Sequence, residues 1–251
     1  MAQAVSNRCL IVLLAVFCFG GVGDNAFALP NATLPNVQQI VENALNYATT
    51  KEDLNTGLFN QHFQYTRNRN WLHHNEAGKL TEFKQTKTEE NTSQTSSGAG
   101  KLETLVKGRD LKLTSYPVTD IISRFDFTLI GEENVEGRRA YVIEFGPHKK
   151  LPIRQLMDPF INRATGTVWI DQEDYAISKA RFHLNSPVKA AYGVVGELNE
   201  FSCKISRSRT LEGYWHVRVM VWHLDGRFLA VGRSIDYYED RIHPRPIIAA
   251  P

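Results

Sequence analysis

From residue 124 to the end of the 230s the chain is written in a period of two, and that alternation restricts its fold more than any other feature. Phe125, Phe127 and Leu129 share one side of a strand predicted over 124–131, and residues 132–137 predict the turn that follows. Tyr141, Ile143 and Phe145 share one side of the return strand, 138–146. Strands follow at 165–171, carrying Val168 and Ile170, and at 175–184, carrying Ala180, Phe182 and Leu184, joined by a tight turn at 172–174. Three more are expected at 194–207, 214–223 and 227–238, with turns at 211–213 and at Asp225-Gly226. A short helix is expected within 151–160. Strands joined by short hairpins pair antiparallel.

The first part of the chain reads differently. Val37, Ile40, Val41, Ala44, Leu45 and Ala48 recur at helical spacing after Asn36, which predicts an amphipathic helix over 36–50, ended by residues 51–55 and Gly57. Strands are expected at 58–67 and 80–90 around a turn at 76–79. A Ser/Thr/Gly-rich loop at 91–100, a strand at 101–107 and an irregular stretch at 111–123, with a short helix after Pro117, complete it. The sum is about ten strands in one sheet, wide enough to curl. The fold class expected is α+β, mostly antiparallel β: a half-open curled β-barrel, with the N-terminal helix and short helices covering its concave side. Such a shape encloses an apolar cavity suited to a lipid chain.

Arg8, the apolar run 9–22 and Ala26-Phe27-Ala28 together form the pattern of a cleavable secretory signal peptide, residues 1–28. A membrane anchor is the rival reading, but the run is shorter than the roughly 20 residues a spanning helix needs. A lipoprotein site at Cys18 is the other rival, and Phe17 before it is too large for that processing. Cleavage near Ala28 predicts a periplasmic or exported protein, 29–251, formed as a single β-rich domain with a short tail from about 242. It would keep Cys203 alone of the three cysteines, so no intrachain disulfide is expected. The net charge of +2 gives no reason to expect a nucleic-acid partner.

Catalytic and metal signatures are hard to find. No nucleophile elbow, zinc-protease motif, phosphate loop or dinucleotide fingerprint is present, so no enzyme activity and no cofactor are expected. His73-His74 are adjacent and do not converge, and metal binding needs three or four ligands that do. Asp171, Glu173 and Asp174 read as hairpin chemistry, with a cation loop the alternative. Cys203 alternates with Phe201 and Ile205 and reads as a small core residue. Lys204, Arg207, Arg209, Arg218, Arg227 and Arg233 give the last strands a basic character. That face is either simply solvated or docks on anionic headgroups at a membrane surface.

Residues 125–133 (FDFTLIGEE), 135–145 (VEGRRAYVIEF), 166–171 (GTVWID) and 174–177 (DYAI) resemble the outer-membrane lipoprotein-sorting proteins. Their LolA-like fold is shared with the lipoprotein carrier and with RseB-type sensor domains. The resemblance covers about 35–241 and is strongest from 124 on. It implies a half-open barrel with a helical lid, holding acyl chains without catalysis. The partner implied is a lipid or lipidated protein, with an envelope sensor or protein-interaction module as the alternative. Ligand-lining residues are then expected among Phe125, Phe127, Tyr141, Phe145, Val168, Ile170, Phe182 and Leu184. The same residues would equally serve as plain core.

Overall fold

The computed structural model describes residues 35–90, 122–148, 151–153, 158–190, 196–228 and 231–247. The leader at 1–28, the loop at 91–100, the strand at 101–107 and most of the irregular stretch 111–123 lie outside them.

Helix α1, Val37–Thr50, begins where Asn36 caps it, its side chain accepting from the Gln38 N–H at 2.9 Å. Ile40, Val41 and Ala44 form its buried stripe. Ten strands follow: β1 (Phe63–His74), β2 (Leu80–Glu90), β3 (Phe125–Val135), β4 (Arg138–Pro147), β5 (Ala164–Asp171), β6 (Ile177–Leu184), β7 (Val188–Ala190), β8 (Gly196–Arg209), β9 (Trp215–Phe228) and β10 (Val231–Pro246). They make one sheet in the order β2-β1-β10-β9-β8-β6-β5-β4-β3, with the short β7 on β8. Each pairing among them is antiparallel. The second half is the expected meander. The N-terminal hairpin closes back on its far side, β1 pairing with β10. The sheet stays open and curled, with β2 and β3 at its two edges.

The core lies on one face. Side chains from β3, β4, β5, β6, β8, β9 and β10 join Ile40, Val41 and Ala44 of α1 in one apolar cluster. This is the inner face below.

Several expectations need correction. Residues 58–67 were expected to be extended, but a second helix, α2 (Glu52–His62), takes their first half. Long-range contacts decide this against a weak helical pattern. The Glu52 carboxylate meets Arg207 at 2.6 Å, and Asn55 exchanges two hydrogen bonds with the Trp215 backbone. Phe59 is fully buried between Phe63, Tyr65 and His216. The turn expected at 132–137 shrinks to two residues, Glu136 and Gly137, both at positive φ (51° and 85°), as a tight hairpin turn requires. Within 151–160, residues 151–153 are not helical, and the helix among the described residues there is α3, Asp158–Ile161. The tail expected from 242 is sheet as far as Pro246, which faces Phe63.

Asp225-Gly226 is not a turn. Both residues lie within β9, opposite Ser234 and Arg233. A β-carbon at Gly226 would sit 2.7 Å from the Glu197 carbonyl oxygen, beside the bulge in β8. This glycine therefore permits close strand approach rather than reversal. Gly226→Ala is expected to cost about 1–3 kcal/mol in urea denaturation. Gly57→Ala, in α2 with open space around it, should gain about 0.5–1 kcal/mol in the same assay.

Candidate functional site

The residues expected to line a ligand site converge on the inner face. Phe125, Phe145, Val168, Ile170 and Phe182 are buried members of the cluster under α1. Phe127 and Tyr141 are half-buried against it. Leu184 is buried but stands outside the cluster. The Phe125 and Phe145 rings meet edge to face at 4.6 Å, and Phe127 reaches Phe145 at 5.5 Å. Cys203 is buried in the same cluster, the core role read from its alternation.

The sequence reading missed a second group on this face. Phe160 and Phe182 both pack on Phe201, at 5.6 and 5.1 Å. Farther along, Trp222 stacks on Tyr237 at 5.0 Å and Trp71 leans on the same ring at 5.1 Å. Trp71 and Trp222 are half-buried against the cluster. The period-two signal in β1 was there to see, as Tyr65, Arg67, Arg69 and Trp71, but arginines interrupt its apolar character.

Beside this aromatic group lies a fully buried charge. Glu239 accepts from Arg67 at 2.6 Å, Arg241 at 2.9 Å and the Tyr237 hydroxyl at 2.5 Å. Burial alone would raise its pKa, but Arg241 and Arg67 outweigh burial and bring it down to about 2. Burial pushes the Tyr237 phenol up, so it stays protonated and donates.

A polar rim fixes the helices at one end of the sheet. Asp171 takes Arg138 through two bonds, at 2.6 and 2.7 Å, and accepts the Glu173 and Asp174 N–H groups. Burial opposes its ionisation, yet Arg138 and those N–H groups lower its pKa. Asp174 accepts the Trp215 indole N–H at 2.9 Å and meets Arg209 at 3.3 Å. Hairpin chemistry and arginine pairing thus occupy this acidic turn. Among the described residues no group of three or more His, Cys, Asp or Glu is placed to hold a metal ion. His74 and His223 instead both approach Asp236, at 3.6 and 2.7 Å.

The basic character of the last strands is divided. Arg207 pairs with Glu52, Arg209 with Asp174, and Arg218 with Glu136 at 2.6 Å. Lys204, Arg227 and Arg233 remain exposed. A single basic docking face is not formed, because long-range ion pairs take up half of it. No helix among the described residues is long and apolar enough to cross a membrane.

Fold and site together define a class: an open, one-sided antiparallel sheet with an apolar inner face under short helices. No family model matches the chain, and no curated protein sequence matches it. Solved structures similar to it include a DUF1329 family protein from Desulfovibrio piger, at 15% identity and TM-score 0.33, over 86% of this chain and 95% of that one. A domain described as outer membrane lipoprotein-sorting, from Vibrio parahaemolyticus, has 14% identity and TM-score 0.33, over 86% and 95%. A LolA superfamily protein from Nitrosomonas europaea has 12% identity and TM-score 0.29, over 86% and 94%. At these identities and scores the likeness assigns no role to this chain.

His216 gives the seat of α2 a pH limit. Its ring stacks on Phe59 at 4.6 Å, and its Nδ1 is buried without a partner. Burial, then Arg241, Arg207 and Arg218, lower its pKa from 6.5 to about 4. A depressed folded pKa means that stability is complete above 6.5 and is lost as pH falls towards 4. The loss should reach about 3 kcal/mol by pH 4. Urea denaturation across that window checks it, and His216→Phe should flatten the profile there. Glu239 is distinguishable because its contribution is lost only below about 4.5, towards 2.

Proposed function

We propose that this chain is a non-catalytic envelope protein that holds the acyl part of a lipid or lipidated ligand against its inner face. The observation that carries the reading is the extent of that face. One apolar cluster runs from β3 to β10, and the helices that join it, α1 and α3, are only 14 and 4 residues long. Half-buried Phe127, Leu129, Tyr141, Phe160, Phe201, Trp71 and Trp222 fringe the cluster. A chain lying along them gains roughly 0.8 kcal/mol per buried CH₂ and needs no reacting group.

The leader-like residues 1–28 fit export to the compartment where such ligands travel. Helix α1 is the natural gate. Its hold on the sheet is apolar and adaptable, whereas the α1–α2 junction is pinned by the Glu52–Arg207 pair. Phe125, Phe145, Val168, Ile170, Phe182 and Leu184 form the floor on this reading, and Phe127 and Tyr141 its border.

Native mass spectrometry of protein purified from membranes tests it. Wild type should carry acyl-lipid adducts that organic extraction removes. Phe201→Asp, at a half-buried position, should lose them while keeping its melting temperature within a few degrees. Lys204→Glu, exposed three residues further along the same strand, should keep them. Adducts of equal abundance in both variants, or none in wild type, would overturn the proposal.

A further inference from the structure

The inner face is not chemically uniform along its length. At its β1–β2 end it carries two cations that have no acid partner among the described residues. The Arg69 guanidinium lies 5.8 Å from the centre of the Trp71 ring, and the Lys84 ammonium lies 5.6 Å from it. Lys84 is directly opposite Trp71 across the β1–β2 ladder. Among the described residues neither cation forms a salt bridge. Their neighbours do: Arg67 is bound to Glu239 and reaches Glu90, and Arg241 is bound to Glu239. Glu239 is the cross-strand partner of Arg69 in β10, but its oxygens accept from Arg67, Arg241 and Tyr237 instead.

Two further polar atoms point the same way. Arg69 Nε and Thr86 Oγ1 are shielded from solvent and have no hydrogen-bond partner among the described residues. Arg69 and Thr86 are opposite each other in the ladder, so the two unmet donors share one spot. Buried polar groups left unpaired cost stability, and a native fold rarely keeps them without a use. The spot adjoins Trp71, whose other contact, Tyr237, belongs to the apolar cluster. Apolar floor, aromatic step and unpaired cations therefore follow one another on a single face.

We infer that Arg69, Lys84 and Thr86, with Trp71 beside them, form a subsite for the phosphate-bearing headgroup of the amphiphile whose acyl part occupies the apolar inner face. The inference rests on the acyl-binding reading and adds ligand class and orientation to it. The Arg69 guanidinium and the Thr86 hydroxyl donate to phosphate oxygens, and Lys84 supplies a second charge from the exposed side. Trp71 fills the boundary between headgroup and chain, where a ring with one apolar and one wet edge is suited. Neutral amphiphiles are expected to bind through the floor alone.

Titration calorimetry of the whole protein separates the possibilities with three probes of defined chemistry. These are a lysophosphatidylglycerol, a neutral alkyl maltoside of the same chain length, and inorganic phosphate. Wild type should bind the phospholipid about ten- to a hundredfold more tightly than the maltoside, as two charge-assisted contacts imply. The preference should shrink as salt rises. The double variant Arg69→Gln/Lys84→Gln should lose that preference and keep its maltoside affinity, which also shows that it is folded. Lys87→Gln, exposed on the same strand, should behave as wild type.

Equal affinity for both amphiphiles in wild type, or a preference that survives the double substitution, overturns the headgroup subsite and leaves acyl binding standing. Inorganic phosphate binding as tightly as the phospholipid, and lost in the double variant, overturns the headgroup assignment in favour of a free anion. Failure of wild type to bind either amphiphile sinks the acyl-binding reading itself.

Discussion

Strand β1 lies early in the chain, yet it docks on β10, the last strand, with register from Phe63↔Pro246 to His74↔Ser234. Local propensity cannot bring about a pairing between segments so distant in sequence. It must be won by side chains that meet across the ladder. Two groups do this. Trp71, Tyr237 and Trp222 form an aromatic run across β1, β10 and β9, and Arg67, Glu239 and Arg241 form an ionic knot beside it. Much else depends on that seam. It adds the N-terminal hairpin to the meander, sets α2 against β9 and β1, and extends the inner face by two strands.

The knot shows how a buried charge is tolerated here. Glu239 is almost wholly inaccessible, and an isolated carboxylate there would be neutral. Two guanidiniums and a phenol that stays protonated keep it ionised instead. Replacing such a centre by apolar residues is often neutral for stability, whereas removing one partner is not. Its structural effect is to commit the Glu239 carboxylate to Arg67 and Arg241. Because Glu239 meets Arg67 and Arg241, Arg69 meets no acid among the described residues. The charge asymmetry of the face follows from the seam that holds the fold together.

Legibility in the sequence tracked how local each determinant is. The floor residues from Phe125 to Phe182 were readable because their strands follow one another through short hairpins and alternate cleanly. Helix α1 was readable from its stripe and from Asn36. Helix α2 was not. Its apolar residues are few, Gly57 sits in its middle, and Glu52 and Asn55 find their partners about 160 positions away. Asp225-Gly226 carried the strongest hairpin dipeptide in the chain and misled, because glycine answers equally to reversal and to close backbone approach. Trp71 escaped notice because the face it belongs to alternates aromatic with arginine. Such a pattern reads as solvated surface until the opposite strand shows which cations have acids and which do not.

The edges of the sheet sharpen the consequence. In an open sheet the inner face has two ends, β3 and β2, and here they differ in kind. The β3 end is Phe125, Phe127, Phe145 and Leu129, with α1 packed on it. The β2 end is Lys84, Thr86 and Arg69, and among the described residues none of them is in an ion pair. A ligand apolar throughout would gain nothing at the second end and would leave its polar atoms unmet. A small polar ligand would gain nothing at the first. Only a molecule with both characters, long enough to reach between them, satisfies the whole face at once. On the proposed reading its charged part would lie at the β1–β2 end of the sheet.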